Sequence, residues 1–287
     1  MINLSGNNGI APGPFPDFFM NFLNLRVLQL LGINIEGQFP QGMFRSKNLR
    51  VLELSNNPNL SGHMPNFSNA TSLETLSIAW TNFSNVKSSY FSNFTALTEL
   101  AIDGKIISRD FLSSLGMLES LRKLVLARFD VPRESESTFS WFEGIGYLTS
   151  LHFYDCDLSM TITSSIGNFK NLTSLAITGS NFTTQTLSAV ANIRNLKFLS
   201  ILNCGCFVGQ LPSAIANMTS LERLHIGECP LSGPIPQEVG AIKKLTSLIL
   251  AGTGLSGRIP NSISNLSQLT ELWLGENSLS GKFSSLS

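Results

Sequence analysis

Charge is scarce in this chain: only 13% of its 287 residues are Asp, Glu, Lys or Arg, and 19 bases balance 19 acids. With a net charge of +0 there is no basic excess to hold nucleic acid or an anionic membrane surface. Long apolar runs are missing as well, and none approaches the ~18 residues that a membrane-spanning helix requires. So are the short catalytic signatures: no phosphate-binding G-x-x-x-x-G-K-[ST], no G-x-S-x-G elbow, no H-E-x-x-H, no kinase H-R-D or D-F-G. The three histidines, His63, His152 and His225, stand far apart without a nucleophile at matching positions. Cys204-Gly205-Cys206 lacks the second ligand pair of a zinc site. Neither catalysis nor a cofactor nor a metal is expected.

What the chain does have is a period. The first leucine of L-x-x-L-x-L falls at Leu25, Leu49, Leu73, Leu97 and Leu121, always 24 residues on. A 27-residue step leads to Leu148, then Leu172, Leu196, Leu221, Leu245 and Leu269 follow at 24 or 25 residues. That makes eleven repeats, and Ile2-Asn3-Leu4 reads as the tail of one more. A fixed period of this length means stacked supersecondary units. Residues 1–287 therefore read as a single repeat domain, since stacks escape the usual size limit on one core.

Each unit repeats one internal pattern. In "LTSLILAGTGLSGRIP" the alternation Leu248-Ile249-Leu250 reads as a short strand. Gly254, Gly257 and Pro260 then turn the chain away, and "NSISN" leads it back. Such a strand cannot bury its apolar side alone, so successive coils stack about 4.8 Å apart into a parallel sheet over one core. The expected fold is an α/β repeat solenoid, with the sheet on a concave face and short 3-10 or irregular segments on the convex face.

The unit L-x-x-L-x-L-x-x-N-x-L-x-G-x-I-P resembles the plant type of leucine-rich repeat across essentially the whole chain. Its second half is plainest in Leu231-Ser232-Gly233-Pro234-Ile235-Pro236 and Leu255-Ser256-Gly257-Arg258-Ile259-Pro260, with looser copies at Gly37-Gln38-Phe39-Pro40 and Gly62-His63-Met64-Pro65. The form "NNPNLSGHMPNFS" resembles plant cell-surface receptor-like proteins of the disease-resistance kind. The resemblance implies a membrane-anchored plant receptor-like protein acting in defence. It would sense a peptide or protein ligand outside the cell and signal through a co-receptor kinase. Two alternatives stay open: the ectodomain of a receptor kinase, and a secreted inhibitor of cell-wall-degrading enzymes. The chain shows neither a signal peptide at Met1 nor polar caps at its ends, and reads as a fragment of a longer protein.

The ninth position of the unit is Asn in the family pattern, where its amide bonds backbone between coils. Here it is Ile33, Asn57, Thr81, Lys105, Phe129, Cys156, Ser180, Cys204, Cys229, Thr253 and Asn277. Ser, Thr and Cys replace part of that function, whereas Ile33, Lys105 and Phe129 do not, so irregular stacking is expected near repeats one, four and five. Cys204 and Cys229 lie on adjacent coils, but in-line parallel side chains give poor disulfide geometry. The 27-residue step carries Arg133-Glu134-Ser135-Glu136, read as a solvated outer bulge, with a contact loop as the alternative.

Ten N-x-S/T sequons occur, a modest excess over chance. The glycan sites expected among them are Asn66, Asn69, Asn82, Asn93, Asn171, Asn181, Asn217 and Asn265; Asn69, Asn93, Asn217 and Asn265 lie in returning loops. Recognition is expected on the concave face, through positions three, five, seven and eight of each unit. Over repeats four to six these give Glu99, Asp103, Lys123, Arg128, His152, Tyr154 and Asp155, with Arg128 and Asp155 at the same position of neighbouring coils. Over repeats nine to eleven they give Arg223, His225, Glu228, Glu271, Trp273 and Glu276, the expected partner surface. Exposed Trp or Tyr beside Arg and acids is the composition of a binding hot spot.

Overall fold

The computed structural model describes residues 1–40, 47–63, 70–84, 89, 91, 93–104, 114–129, 144–158 and 166–282. Contacts gather the chain into two compact units, Met1–Phe129 and Gly146–Ser287.

The first unit carries β1 (Ile2–Asn3), β2 (Gly13–Pro14), β3 (Val27–Gln29), β4 (Ile35–Gln38), β5 (Val51–Glu53), β6 (Asn57–His63), β7 (Thr75–Ser77), β8 (Thr81–Ser84), β9 (Glu99–Asp103) and β10 (Lys123–Ala127). One parallel sheet runs β1-β3-β5-β7-β9-β10, and β2-β4-β6-β8 form a second one. In the first sheet Leu52 stands opposite Leu28 and Leu76, and Leu100 opposite Leu124, so equal repeat positions fall in lateral rows. β6 carries a bulge between Asn57 and Ser61, where the Pro58-Asn59-Leu60 insertion has no counterpart on β8.

The second unit carries β11 (Ser150–Tyr154), β12 (Ser174–Thr178), β13 (Phe198–Leu202), β14 (Arg223–Gly227), β15 (Ser247–Ala251), β16 (Ser256–Gly257), β17 (Glu271–Trp273) and β18 (Ser278–Leu279). Its main parallel sheet runs β11-β12-β13-β14-β15-β17, and β16 pairs with β18. Here too the register is one repeat per strand: Leu151, Leu175, Leu199, Leu224, Leu248 and Leu272 form one row.

Strand alternation decides which face is core. Positions four and six, such as Leu28 and Leu30 or Leu175 and Ile177, are fully buried. Each such side chain contributes about 1.5–3 kcal/mol. Behind the strands the chain returns through 3-10 turns at Asp17–Asn21, Ser213–Asn217, Gln237–Ala241 and Asn261–Asn265, each entered from a proline: Pro16, Pro212, Pro236 and Pro260. Proline presets the φ needed there, and Gly209, Gly233 and Gly257, three residues before Pro212, Pro236 and Pro260, make at φ 94°, 73° and 75° the left-handed turn that L residues resist. Repeat seven lacks the L-x-G-x-I-P half, and a short helix α1 (Thr184–Val190) takes its place, capped by the Thr183 hydroxyl accepting from Thr186 N–H. Among the described residues no helix is long and apolar enough to cross a membrane.

The polar ladder corrects one expectation. The Asn57 side chain accepts from the N–H groups of Ile33 and Ile35 and donates to the carbonyls of Leu30 and Leu54. A ladder residue therefore serves the coil before it, and Ile33 needs Asn57 rather than an amide of its own. Accordingly the strands of repeat one pair regularly with those of repeat two. Repeats four and five likewise keep five consecutive pairs from Glu99↔Lys123 to Asp103↔Ala127, with Phe129 buried. Lys105 lies outside the described residues.

Thiols extend the ladder in the second unit. Cys204, Cys229 and Cys156 are buried thiols. Cys204 N–H points at the Cys229 sulfur at 3.4 Å, while Cys229 Sγ approaches the carbonyls of Ile201 and Gly227. The contact with Cys229, and then burial, push the Cys204 thiol far above its ordinary range, which makes it an inert hydrogen-bonding group.

Candidate functional site

The residues expected to face a ligand lie where the strand pattern puts them, with one consistent exception. Positions three and five stand on the open side of the sheet. Position seven does not in most of the first unit: Ser55, Ala79, Asp103 and Ala127 are all buried. At position eight, Asn56, Trp80, Arg128, Asp155, Asn203, Glu228 and Glu276 all have left-handed φ of 50–60°.

Asp103 is the buried position seven that matters for recognition. It is 1% exposed and so is not a free acid on the recognition surface. Its carboxylate accepts from Arg128 Nε at 2.7 Å, from Arg128 Nη2, and from Trp80 N–H at 3.2 Å. Arg128 also donates to the Thr81 carbonyl, two coils back. Between them Gly104 must be glycine, since a Cβ there would overlap Phe129 Cα and stand 2.6 Å from the Arg128 carbonyl. Arg128 is committed to an internal ion pair instead of being offered jointly with Asp155.

The remaining candidates of the first group divide between the units. Glu99 and Lys123 face each other across β9 and β10 in an exposed ion pair at 3.2 Å, worth about 0.2–1 kcal/mol. In the second unit His152 and Tyr154 project from the same side of β11, rings 6.3 Å apart, and His152 Nε2 bonds Ser150 Oγ. Asp155 is exposed and its Oδ1 lies over the bare Cα of Gly179.

The second group forms one built patch on β13, β14, β15 and β17. His225, Ile249 and Trp273 are a lateral row, and Phe198, Arg223, Ser247 and Glu271 are the row beside it. The Arg223 guanidinium sits 5.1 Å from the Phe198 ring centroid, and Phe198 meets the His225 ring edge-on at 5.5 Å. His225 Nε2 lies 3.0 Å from Ser247 Oγ, which donates to Glu271 Oε2 at 2.6 Å. This Ser–His–Glu contact is not a hydrolytic triad, because the carboxylate takes the serine proton instead of orienting the imidazole. Burial holds the His225 pKa below its ordinary value, with Arg223 acting in the same direction and Glu271 opposing, so the imidazole is neutral near pH 7. Trp273 is 60% exposed.

Phe198, Ser247 and Leu202 belong to this patch, although reading the sequence for charge and exposed aromatics passes over them. Aligning the third positions of repeats eight to eleven (Phe198, Arg223, Ser247, Glu271) carries the missing signal. Of the expected glycan sites, Asn82, Asn171, Asn181, Asn217 and Asn265 are exposed and Asn93 half-buried. Asn181 Nδ2 donates to Asp157 Oδ1 and Asn171 Nδ2 to the Gly146 carbonyl. Asn66, Asn69 and the Arg133–Glu136 run lie outside the described residues.

Known proteins share this organisation. The family model described as leucine-rich repeat region matches residues 147–285, and that described as Leucine Rich Repeat matches residues 48–70. Receptor-like protein 6 of Arabidopsis thaliana is 39% identical over 87 residues, 30% of this chain and 9% of that protein. Among solved structures, the leucine-rich-repeat ectodomain of the Arabidopsis receptor kinase HAESA, in complex with an N-terminally extended IDA peptide hormone, is 26% identical with a TM-score of 0.66; the match covers 97% of this chain and 46% of that one. HAESA has also been solved with IDA and the co-receptor SERK1. The plant peptide hormone receptor RGFR1, in complex with RGF2, is 24% identical with a TM-score of 0.59, over 96% of this chain and 47% of that one. The chain thus spans less than half of either receptor structure. Its repeats, their register and these likenesses place it among the leucine-rich-repeat proteins of the plant receptor-like kind.

Proposed function

We propose that this chain is the extracellular recognition module of a plant cell-surface receptor-like protein, acting in defence. It binds a peptide or protein ligand on the exposed face of its sheet and signals through a partner kinase. The patch around Trp273 carries the reading: an exposed tryptophan, an arginine stacked on phenylalanine and a histidine share one rigid sheet, where little side-chain freedom is lost on binding. HAESA, which binds a peptide on the same fold, supports a peptide or protein ligand; its complex with SERK1 supports a co-receptor. The Arg128 and Asp103 pair is left out of the contact surface, and His152, Tyr154 and Asp155 remain in it. HAESA is a receptor kinase, which favours the kinase ectodomain as second reading; the full gene sequence separates the two.

The test is to secrete the 287-residue chain from plant cells, incubate it with extracellular fluid from healthy and microbe-challenged leaves, and map cross-links to bound proteins. Cross-links clustering around Tyr154 and Trp273 are expected. Cross-links confined to the 3-10 segments behind the sheet overturn the proposal.

A further inference from the structure

The last four coils of the second unit carry opposite charges on the two edges of one partly apolar face. At the edge where strands enter, Arg223 is exposed; its guanidinium sits over the Phe198 ring and has no hydrogen-bond or ion-pair partner among the described residues. At the edge where strands leave, Glu228 and Glu276 are exposed at φ 51° and 55°, and neither side chain has an ion-pair or hydrogen-bond partner among the described residues. They flank Gly252: Glu276 Oε2 lies 3.7 Å from where a Cβ on that glycine would stand, and Glu228 Cγ 3.9 Å. Between the edges the face is mostly uncharged. Ile249 is half-buried, Trp273 largely open, and Leu202 leans over Gly227, its Cδ2 3.2 Å from the would-be Cβ. The remaining acid, Glu271, is occupied by the Ser247 hydroxyl.

We infer that this face takes an extended dipolar peptide segment: a carboxylate at Arg223, an apolar or aromatic side chain over Ile249 and Trp273, and a lysine or arginine between Glu228 and Glu276. The inference rests on the recognition reading above and adds the chemistry and direction of the ligand. From position three to position eight is five residues of strand, about 16 Å at ~3.3 Å per residue. An extended ligand therefore carries its acid and base about five residues apart. A ligand of one sign meets attraction at one edge and repulsion at the other, so the edges select an ordered pair of charges and fix the direction in which the segment lies. Neither nucleic acid nor an anionic membrane fits, because each would oppose two unpaired carboxylates. Arg223 stacks on Phe198 with its donors unfilled, as bidentate capture of a carboxylate requires.

A phage-displayed library of random nine-residue peptides, panned on the 287-residue chain, tests this. Enriched peptides are synthesised and their Kd measured by calorimetry against the chain and against Trp273→Ala, Arg223→Glu and Glu228→Lys/Glu276→Lys. All four residues are exposed, and thermal melting checks that each variant folds. The expected peptides carry an acid and a base about five residues apart around an apolar residue. Trp273→Ala weakens them at least about tenfold, and Arg223→Glu does the same until the peptide acid is replaced by lysine. Peptides without this charge order, unaffected by Arg223→Glu yet still lost with Trp273→Ala, overturn the dipolar ligand and leave the recognition surface standing. Peptides insensitive to Trp273→Ala as well overturn both. An absence of enriched peptides overturns the dipolar ligand, as does sedimentation showing a dimer that Arg223→Glu dissolves, since the occupant is then a second copy.

Discussion

Replacing Arg128 with alanine separates a structural role from a recognition role. Arg128 closes the site of a carboxylate that is almost wholly buried and that also accepts from Trp80 N–H at 3.2 Å. Breaking a buried pair from one side costs about 3–5 kcal/mol, because the surviving charge stays desolvated. Arg128 itself is 29% exposed, so water screens part of the interaction and the lower end, about 3 kcal/mol, is expected. Asp103→Ala should cost less, since the freed guanidinium can turn into solvent and the same position elsewhere in this unit holds Ser55, Ala79 and Ala127. It follows that Asp103→Ala/Arg128→Ala is more stable than Arg128→Ala alone. Urea unfolding followed by tryptophan fluorescence reads this directly, with Trp80 in the network as reporter, and the first transition is the one to compare because repeat arrays need not unfold in a single step. A loss below about 1 kcal/mol for Arg128→Ala, with no recovery in the double variant, refutes the argument and returns Arg128 to the ligand surface.

Four further outcomes are expected. Leu175 is fully buried at the centre of β12, and Leu175→Ala should lower stability by about 2–5 kcal/mol in denaturant titration; less than about 1 kcal/mol would mean the register is wrong. Asn57→Ala leaves the N–H groups of Ile33 and Ile35 and the carbonyls of Leu30 and Leu54 short of partners, a loss of about 3–5 kcal/mol at roughly 1 kcal/mol or more for each, with faster amide exchange at Ile33 and Ile35. Because the folded His225 pKa lies below the unfolded value of 6.5, the unfolded state binds the proton first; the contribution is full above about pH 6.5 and is lost as pH falls through the folded value. Imidazole NMR should show that midpoint below 6.5 and lower still in Glu271→Gln, and His225→Gln should flatten the pH dependence. Glycopeptide mapping of the secreted chain should find glycans at the exposed Asn217 and Asn265, and both bare would contradict the returning-loop assignment.

The fold was legible because its signal is redundant: the same leucine register recurs in eleven units, and any one of them predicts which side of its strand is buried. Lateral rows followed from the period alone, which is why His225, Ile249 and Trp273 stand together in the structure as their spacing implies. The ladder was harder to read. Ile33, Lys105 and Phe129 look like defects when each residue is judged within its own coil, yet the acceptor that Ile33 N–H needs belongs to Asn57, 24 residues later. Position seven failed for a different reason. Strand alternation puts Asp103 outside, yet it is buried, and the partner Arg128, 25 residues on, makes a carboxylate tolerable there. A period-two rule holds no information about where the strand stops. The left-handed turn at position eight had left a trace in the column Gly32, Asn56, Asp155, Gly179, Asn203 and Gly252, most of it residues that accept positive φ.

That same column bears on which exposed residues are there for the fold. A left-handed backbone costs an ordinary L residue about 1 kcal/mol or more, and glycine removes the cost, as Gly179 and Gly252 show at φ 64° and 61°. Arg128 recovers it through the Asp103 pair. Asn56 and Asn203 are of the type that tolerates the conformation. Glu228 and Glu276 have neither compensation: they are not favoured at positive φ, and their carboxylates touch no cation among the described residues. Two acids are thus held at a conformational cost on the same edge of the same face, flanking one glycine. On the dipolar-ligand reading, a base on a bound segment offsets that cost.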